Sequence, residues 1–355
     1  MRVISNSDVE QILTMDDCLS VLGPAFGDLA RGEASNRPRT HTYTPLEPNH
    51  YYLFKSMDGS LPRFGVHGLR LSSDHLAEVT ENGLRRRDKL PMAPGGKYLG
   101  LVLLFSIETL ELLAMIQDGF LQKMRVGATS GLASKYLARQ DSHVAGLIGT
   151  GWQADAQAMA LDAVHDLREI RVFSPTSGHV ERFCEKVQPL LKATLVPVGS
   201  SNDAVIRCDI VSCASNSLDP VFDGDWLTRG QHVNSVQRGE LDNTTHERAS
   251  VIATRAKEQS LHFSGGAISD EVMQRGDWKP EWDGKIQELG KIIIGESPGR
   301  SSPDQITLFG GSGTGPSSGL GIQFAAVGHI IYQRACEQSL GHELPSDWFL
   351  EDVHP

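Results

Sequence analysis

Apolar positions recur along this chain at different periods, and the changes of period mark its parts. Residues 8–31 carry apolar side chains at helical spacing, with Asp8 placed to cap VEQILT and Asp16 to cap CLSVLGPAFGDLA. Residues 32–66 are rich in Pro, Gly, Tyr and Thr, and HTYT, YYLF and HGLRLS have strand character. Residues 74–97 are polar and glycine-bearing and read as a long loop. LGLVLLFS (99–106) and LELLAMIQ (110–117) read as buried strands, and Ile107-Glu108-Thr109 between them suits a hairpin loop. Residues 120–138 spell a helix with many small side chains, so another element is expected to pack closely on it.

From residue 143 strands and helices alternate. VAGLIG is a strand, and Ala156, Met159, Ala160, Ala163 and Leu167 follow at helical spacing. EIRVFS is a strand and HVERFCEKVQPLL a helix; ATLVPVG, DIVSCAS, QHVNSV and VIATR are further strands. This rhythm predicts an α/β fold with a doubly wound parallel sheet. After ITLF and a glycine-rich stretch, Leu320, Phe324, Val327 and Ile331 mark one face of a long helix. That helix has no place in the parallel sheet and is expected to fold back on the N-terminal part.

The turn between the first two elements of the alternation carries candidate chemistry. Gly149-Thr150-Gly151-Trp152-Gln153-Ala154 follows a strand and opens a helix, the context in which GxGxxA holds a dinucleotide. The first glycine makes the turn, the second lets a pyrophosphate approach, and free N–H groups of the helix start face the phosphates. A bare glycine turn is the competing reading. The next strand ends in Ser174-Pro175-Thr176-Ser177 with no carboxylate for a ribose 2′-OH, so the hydroxyls favour NADP, with NAD the alternative.

Bulk properties remove some classes. A formal charge of -11 disfavours general nucleic-acid binding, and the basic run Arg85–Lys89 reads as a solvated loop. The apolar runs are too short to span a bilayer. Five cysteines, an odd number without CxxC, fit a reduced cytoplasmic protein with neither a disulfide framework nor a metal site.

Four stretches carry a resemblance: ETLELLAMIQDGFLQKMRVGATSGLASKYLAR, GLIGTGWQADAQ, GDWLTRGQHVNSV and ELGKIIIGESPGRSSPDQITLFGGSG. In this order and spacing the chain resembles the ornithine cyclodeaminase/mu-crystallin family. The resemblance implies a Rossmann-type nucleotide domain over 125–309 and a discontinuous α+β substrate and dimerisation domain from 1–124 with 310–355, as a homodimer. It also implies cofactor contacts from Thr129, Gly149, Thr150, Gly151, Trp152, Gln153, Ser174, Thr176, Ala214, Ser215, Val236 and Ser312. Ser312 lies in a glycine-rich segment that reads equally as a flexible connection.

In family members acting on amino acids, two arginines and a lysine hold the substrate carboxylate. Arg39 matches the first arginine, with Arg37 as fallback, and Arg125 matches the second; a guanidinium fork suits a planar carboxylate. Arg70 stands where the lysine is expected and keeps the charge, but it cannot give up a proton near neutral pH because its pKa exceeds about 12. Lys55 is a stand-in, or else a strand-end lysine on the surface. The aspartate that cyclodeaminases place beside the nicotinamide is replaced by Gln237-Arg238, while Glu240 and Asp242 match a later, structural part of the motif. His67, His41 and Asp74 are candidates for the proton donor, and Gln237 or Arg238 could polarise a substrate. The leading expectation is an NAD(P)H-dependent reductase or dehydrogenase of a small carboxylated imine or 2-oxo acid. A cyclodeaminase with a relocated base and a non-catalytic NADPH-binding protein are the alternatives.

Overall fold

A hydroxyl and a carboxylate three residues apart open each of the first two helices. After β1 (Arg2–Ile4), Ser5 and Asp8 box the start of α1 (Asn6–Ile12), and Thr14 and Asp17 that of α2 (Met15–Arg31). Each box satisfies two otherwise orphaned N–H groups. The expected caps Asp8 and Asp16 are corrected accordingly: Asp8 is the carboxylate half of a box begun by Ser5, and Asp17 rather than Asp16 closes the second. The computed structural model describes residues 1–81, 83–176, 178–257, 260–266, 279–310 and 319–353.

A mixed sheet follows, built from β2 (Ser35–Asn36), β3 (Thr40–Glu47), β4 (His50–Leu61), β5 (Val66–Glu81), β6 (Leu84–Leu90), β7 (Leu99–Ser106) and β8 (Leu112–Gln117). The expected loop over 74–97 is wrong over most of its length. β5 runs on to residue 81 and returns as β6, in register from Glu81↔Leu84 to His75↔Leu90. The polar composition misled because charged side chains line both sides of this hairpin, where Arg87 pairs with Glu78 and Lys89 with Asp74.

The helix α3 (Gly119–Leu137) then leads into the strand-helix alternation. This comprises β9 (Val144–Ile148), α4 (Ala154–Val164), β10 (Glu169–Phe173), α5 (His179–Val187), β11 (Thr194–Pro197), β12 (Ile210–Cys213) and β13 (His232–Ser235). After α6 (Asn243–Arg248) come β14 (Val251–Thr254), β15 (Leu261–Ser264), β16 (Ile286–Glu288), α7 (Leu289–Ile293) and β17 (Thr307–Gly310). The chain closes with α8 (Gly321–Glu337) and β18 (His342–Glu343).

The second sheet is parallel throughout, in the order β11-β10-β9-β12-β13-β17-β14-β16. Strand order reverses between β9 and β12, which opens a crevice at the carboxyl ends of these strands. The fold is α/β with a doubly wound parallel sheet of Rossmann type, joined to a mixed sheet. One strand crosses the expected partition. β15, inside the 125–309 segment, pairs in parallel with β3 of the first sheet.

Small residues bring the helices close, as the sequence suggested for α3. A Cβ on Gly127 would lie 2.3 Å from the Ala156 carbonyl oxygen of α4. α8 folds back across β4 and β5, and a Cβ on Gly68 would meet Ala325 Cα at 2.7 Å. Because backbone, not a movable side chain, occupies that space, Gly68→Ala should destabilise the protein by about 1–3 kcal/mol. Chemical denaturation would read this as a lowered midpoint, and an unchanged midpoint would contradict the packing.

Candidate active site

The two sheets face each other across a cavity of about 250 Å³. Arg39, just before β3, His41 on β3, Lys55 on β4 and Lys89 on β6 line it from the mixed sheet; Gln122 and Arg125 line it from α3. From the parallel sheet come Gln153 after the glycine turn, Val236 and Gln237 after β13, and Arg255 after β14. Among the described residues that line it there is no carboxylate.

Arg125 is buried, and its guanidinium carbon lies 4.7 Å from the centre of the Phe324 ring of α8. Its Nη1 donates to Gln323 Oε1 at 3.2 Å, and Gln323 Nε2 donates to Thr129 Oγ1. Thr129 is fully buried and donates back to the Arg125 carbonyl, so it positions the arginine, and it is not among the residues that line the cavity. Arg39, Arg125 and Arg255 make no ion pair among the described residues, and the Nε of each is buried without a partner. Burial and neighbouring cations hold the Arg125 guanidinium well below its ordinary value. Burial pushes Arg39 and Arg255 down to about 10, helped at Arg39 by the charge of Arg70. The fallback Arg37 ion-pairs with Asp58 outside the cavity.

Arg70 is placed differently from the expectation. Its Nε donates to Asp118 Oδ2 at 2.6 Å, and it does not line the cavity. Its buried charge acts on Arg39 and Arg125 through the field alone. His67 is also corrected. Side chains alternate across β5, so His67 points to the face opposite Arg70, where it pairs with Ser60 Oγ at 2.7 Å. The stand-in Lys55 does reach the cavity. Its Nζ lies 2.8 Å from Asp74 Oδ2, and the buried Asp74 also holds Lys89 at 2.5 Å. Burial, opposed by Asp74 and reinforced by Arg39 and Arg70, pushes the Lys55 ammonium down to about 8. His41 is buried with Nε2 unpartnered, and burial together with Arg39 and Lys55 keeps its ring neutral.

The nucleotide features cluster at the crevice. Gly149 has φ of 113°, and a Cβ there would lie 2.4 Å from the Ala214 carbonyl oxygen, so this turn requires glycine. A Cβ on Gly151 would meet nothing within 4 Å, leaving open space where a pyrophosphate could approach. The N–H groups of Thr150, Gly151 and Trp152 find no backbone acceptor among the described residues, which suits an anion. Trp152 is exposed, and its ring lies 4.6 Å from Lys123 Nζ, which ion-pairs with Asp155. Ala214 and Ser215 follow β12, and Val236 and Gln237 follow β13. The buried Glu240 binds these ends together by accepting from Ser215, Ser235, Val236 and Gln237. Asp242 caps α6, so both acids are structural, as their motif suggested. Ser174 and Thr176 follow β10 at the surface, while Ser312 lies outside the described residues.

The site can therefore take a dinucleotide at the glycine turn and a small anion against the arginines. The ornithine cyclodeaminase/mu-crystallin family model matches residues 1–339. The chain belongs to this family. It is 31% identical over 353 residues to a Delta(1)-pyrroline-2-carboxylate reductase of Bacillus cereus, covering 97% of this chain and 99% of that one. Among solved structures it is similar to Thermococcus litoralis Delta(1)-pyrroline-2-carboxylate reductase in complex with NADH and L-proline. That match has a TM-score of 0.76 at 28% identity and covers 97% and 100% of the two chains. It is also similar to an archaeal alanine dehydrogenase dimer with bound NAD, at a TM-score of 0.76 and 25% identity over 97% and 99%.

Two cavity residues were missed or undervalued in the sequence. Arg255 was missed, although it directly follows a parallel strand, at the carboxyl end where such sheets bind ligands. For Lys55 the surface reading outweighs the stand-in reading in the sequence, because no local signal shows which face of β4 meets the cavity. Gly151→Val should leave the melting temperature nearly unchanged, since its Cβ position is empty, and abolish NAD(P)H binding in a fluorescence titration. Retained affinity would separate the glycine turn from the nucleotide.

Proposed function

We propose that this family member is an NAD(P)H-dependent reductase of a small carboxylated imine or 2-oxo acid, working toward the amino acid. One observation carries the reading: two carboxylate-free guanidinium groups, Arg39 and Arg125, share a cavity with the crevice residues Gln153, Val236 and Gln237. In this scheme Arg39 and Arg125 hold the substrate carboxylate in charge-assisted bonds. The bound nicotinamide supplies the hydride. Lys55 Nζ gives the accompanying proton to the substrate nitrogen or oxygen, and Gln237 offers its amide beside it. Arg70, neutralised by Asp118, does not touch substrate. A cyclodeaminase chemistry is disfavoured because, among the described residues, the cavity lining offers no carboxylate base where that reaction needs one.

NADP is the preferred coenzyme in this reading, since Ser174 and Thr176 leave room for a 2′-phosphate where a carboxylate would repel it. The related structures named above hold NADH and NAD, so the preference rests on this chain's own residues. The division into a nucleotide half (125–309) and a substrate and dimerisation half (1–124 with 310–355) belongs to the same proposal, with β15 crossing between them. A second copy is proposed to dock on the outer face of the mixed sheet, where Leu69, Leu103 and Met115 form one cross-strand row and Leu71 sits beside Leu101. Five unpaired cysteines suit the reducing cytoplasm, and among the described residues no helix is long and apolar enough to cross a membrane.

The deciding experiment follows NADPH absorbance with a panel of 2-oxo acids and amines. Lys55→Met should lower kcat by roughly a hundred- to ten-thousandfold. In the wild type the reductive rate should fall as pH rises through about 8, because Lys55 then loses the proton it donates; the oxidative rate should rise over the same range. A pH profile identical in Lys55→Met would remove the lysine from the chemistry. Ser174→Asp should shift the kcat/KM ratio at least about tenfold toward NADH, and an unmoved ratio would put the discrimination elsewhere.

A further inference from the structure

The charges around the cavity do not balance for a singly charged substrate. Arg70 is neutralised by Asp118 and Arg87 by Glu78, whereas Lys55 and Lys89 share the single charge of Asp74 and leave one positive charge over. Among the described residues, Arg39, Arg125 and Arg255 remain without a carboxylate. An uncompensated buried cation is costly, and one planar carboxylate seats on one or two guanidinium forks. Arg39 and Arg125 reach the cavity from the mixed sheet and α3. Arg255 comes from the opposite wall, and its guanidinium carbon is fixed 4.9 Å from the centre of the Phe309 ring.

A cofactor phosphate does not account for Arg255. The glycine turn follows β9, and β12, β13 and β17 lie between β9 and β14. At about 4.8 Å per strand that is roughly 19 Å across the sheet. Beyond the carboxylate-binding pair, the site thus holds a third cation, carried by the parallel half and near enough to act on Arg125 through its field.

We propose that the substrate is a dianion: an imine or 2-oxo acid with a second carboxylate on a short side chain, its first carboxylate on Arg39 and Arg125 and its second on Arg255. This rests on the reductase reading for the reaction but on charge and geometry for the ligand. The second carboxylate spans the cavity between its two walls and so fixes the substrate in one orientation.

The test separates binding from turnover. Succinate and glutarate are titrated calorimetrically into the full-length protein with NADP present, alongside the monoanions butyrate and valerate. The dicarboxylates should bind at least tenfold more tightly. Arg255→Gln, checked for folding by circular dichroism, should bring that ratio to within about threefold, and Arg255→Lys should retain part of it. Equal affinity of the two classes in the wild type overturns the proposal, as does a preference that survives in Arg255→Gln. In parallel, NADPH oxidation is followed with methylamine and either oxaloacetate or 2-oxobutyrate. Equal turnover of both overturns the dianion while leaving the reductase intact. An Arg255-dependent binding preference without turnover of either supports the dianion and overturns the reductase.

Discussion

A buried guanidinium with no carboxylate beside it is the constraint around which this molecule is arranged. Arg125 is buried between α3 and α8, and among the described residues no acid pairs with it. An aromatic face, Phe324, and an amide oxygen, Gln323, take the place of a counter-charge. Both belong to α8, which explains why that helix returns from the end of the chain to pack on the first sheet. Gly68 removes a side chain where α8 approaches β5, and Gly127 removes one where α4 approaches the helix that bears Arg125.

The protein is acidic overall yet encloses a cationic cavity. This segregation concentrates field lines at the site and draws anions toward it. It also sets the chemistry of the groups nearby. Lys55 is pushed down by burial and by its arginine neighbours, while His41 is held neutral by the same charges. A histidine in such a field makes a poor acid, because its charged form is suppressed. A lysine there is shifted toward the range in which proton transfer is useful.

The parallel sheet was legible in the sequence because its signals are local: apolar runs, glycine turns and helical periods confined to short windows. The glycine turn, Arg39 and Arg125 were legible for the same reason, since each lies in a contiguous motif. The β5-β6 hairpin was not, because its polar side chains find their partners across strands and composition alone resembles a loop. The same gap hid the difference between His67 and Arg70. They are three residues apart, and strand alternation puts them on opposite faces, a distinction that depends on which face α8 covers. Arg255 escaped because nothing beside it in sequence says that a strand from the far half ends opposite Arg39.

The two sheets are fastened at two separate places besides the main crossings of the chain. β15 leaves the parallel half to bond along β3, and the β5-β6 hairpin reaches over to the loop after β12, where Arg85 meets Asp219 and Asn216 meets Asp88. A rigid-body hinge between the halves would have to tear both seams. Ligand traffic must therefore rely on local rearrangement of the cavity wall, in which a few side chains part while the two sheets stay joined.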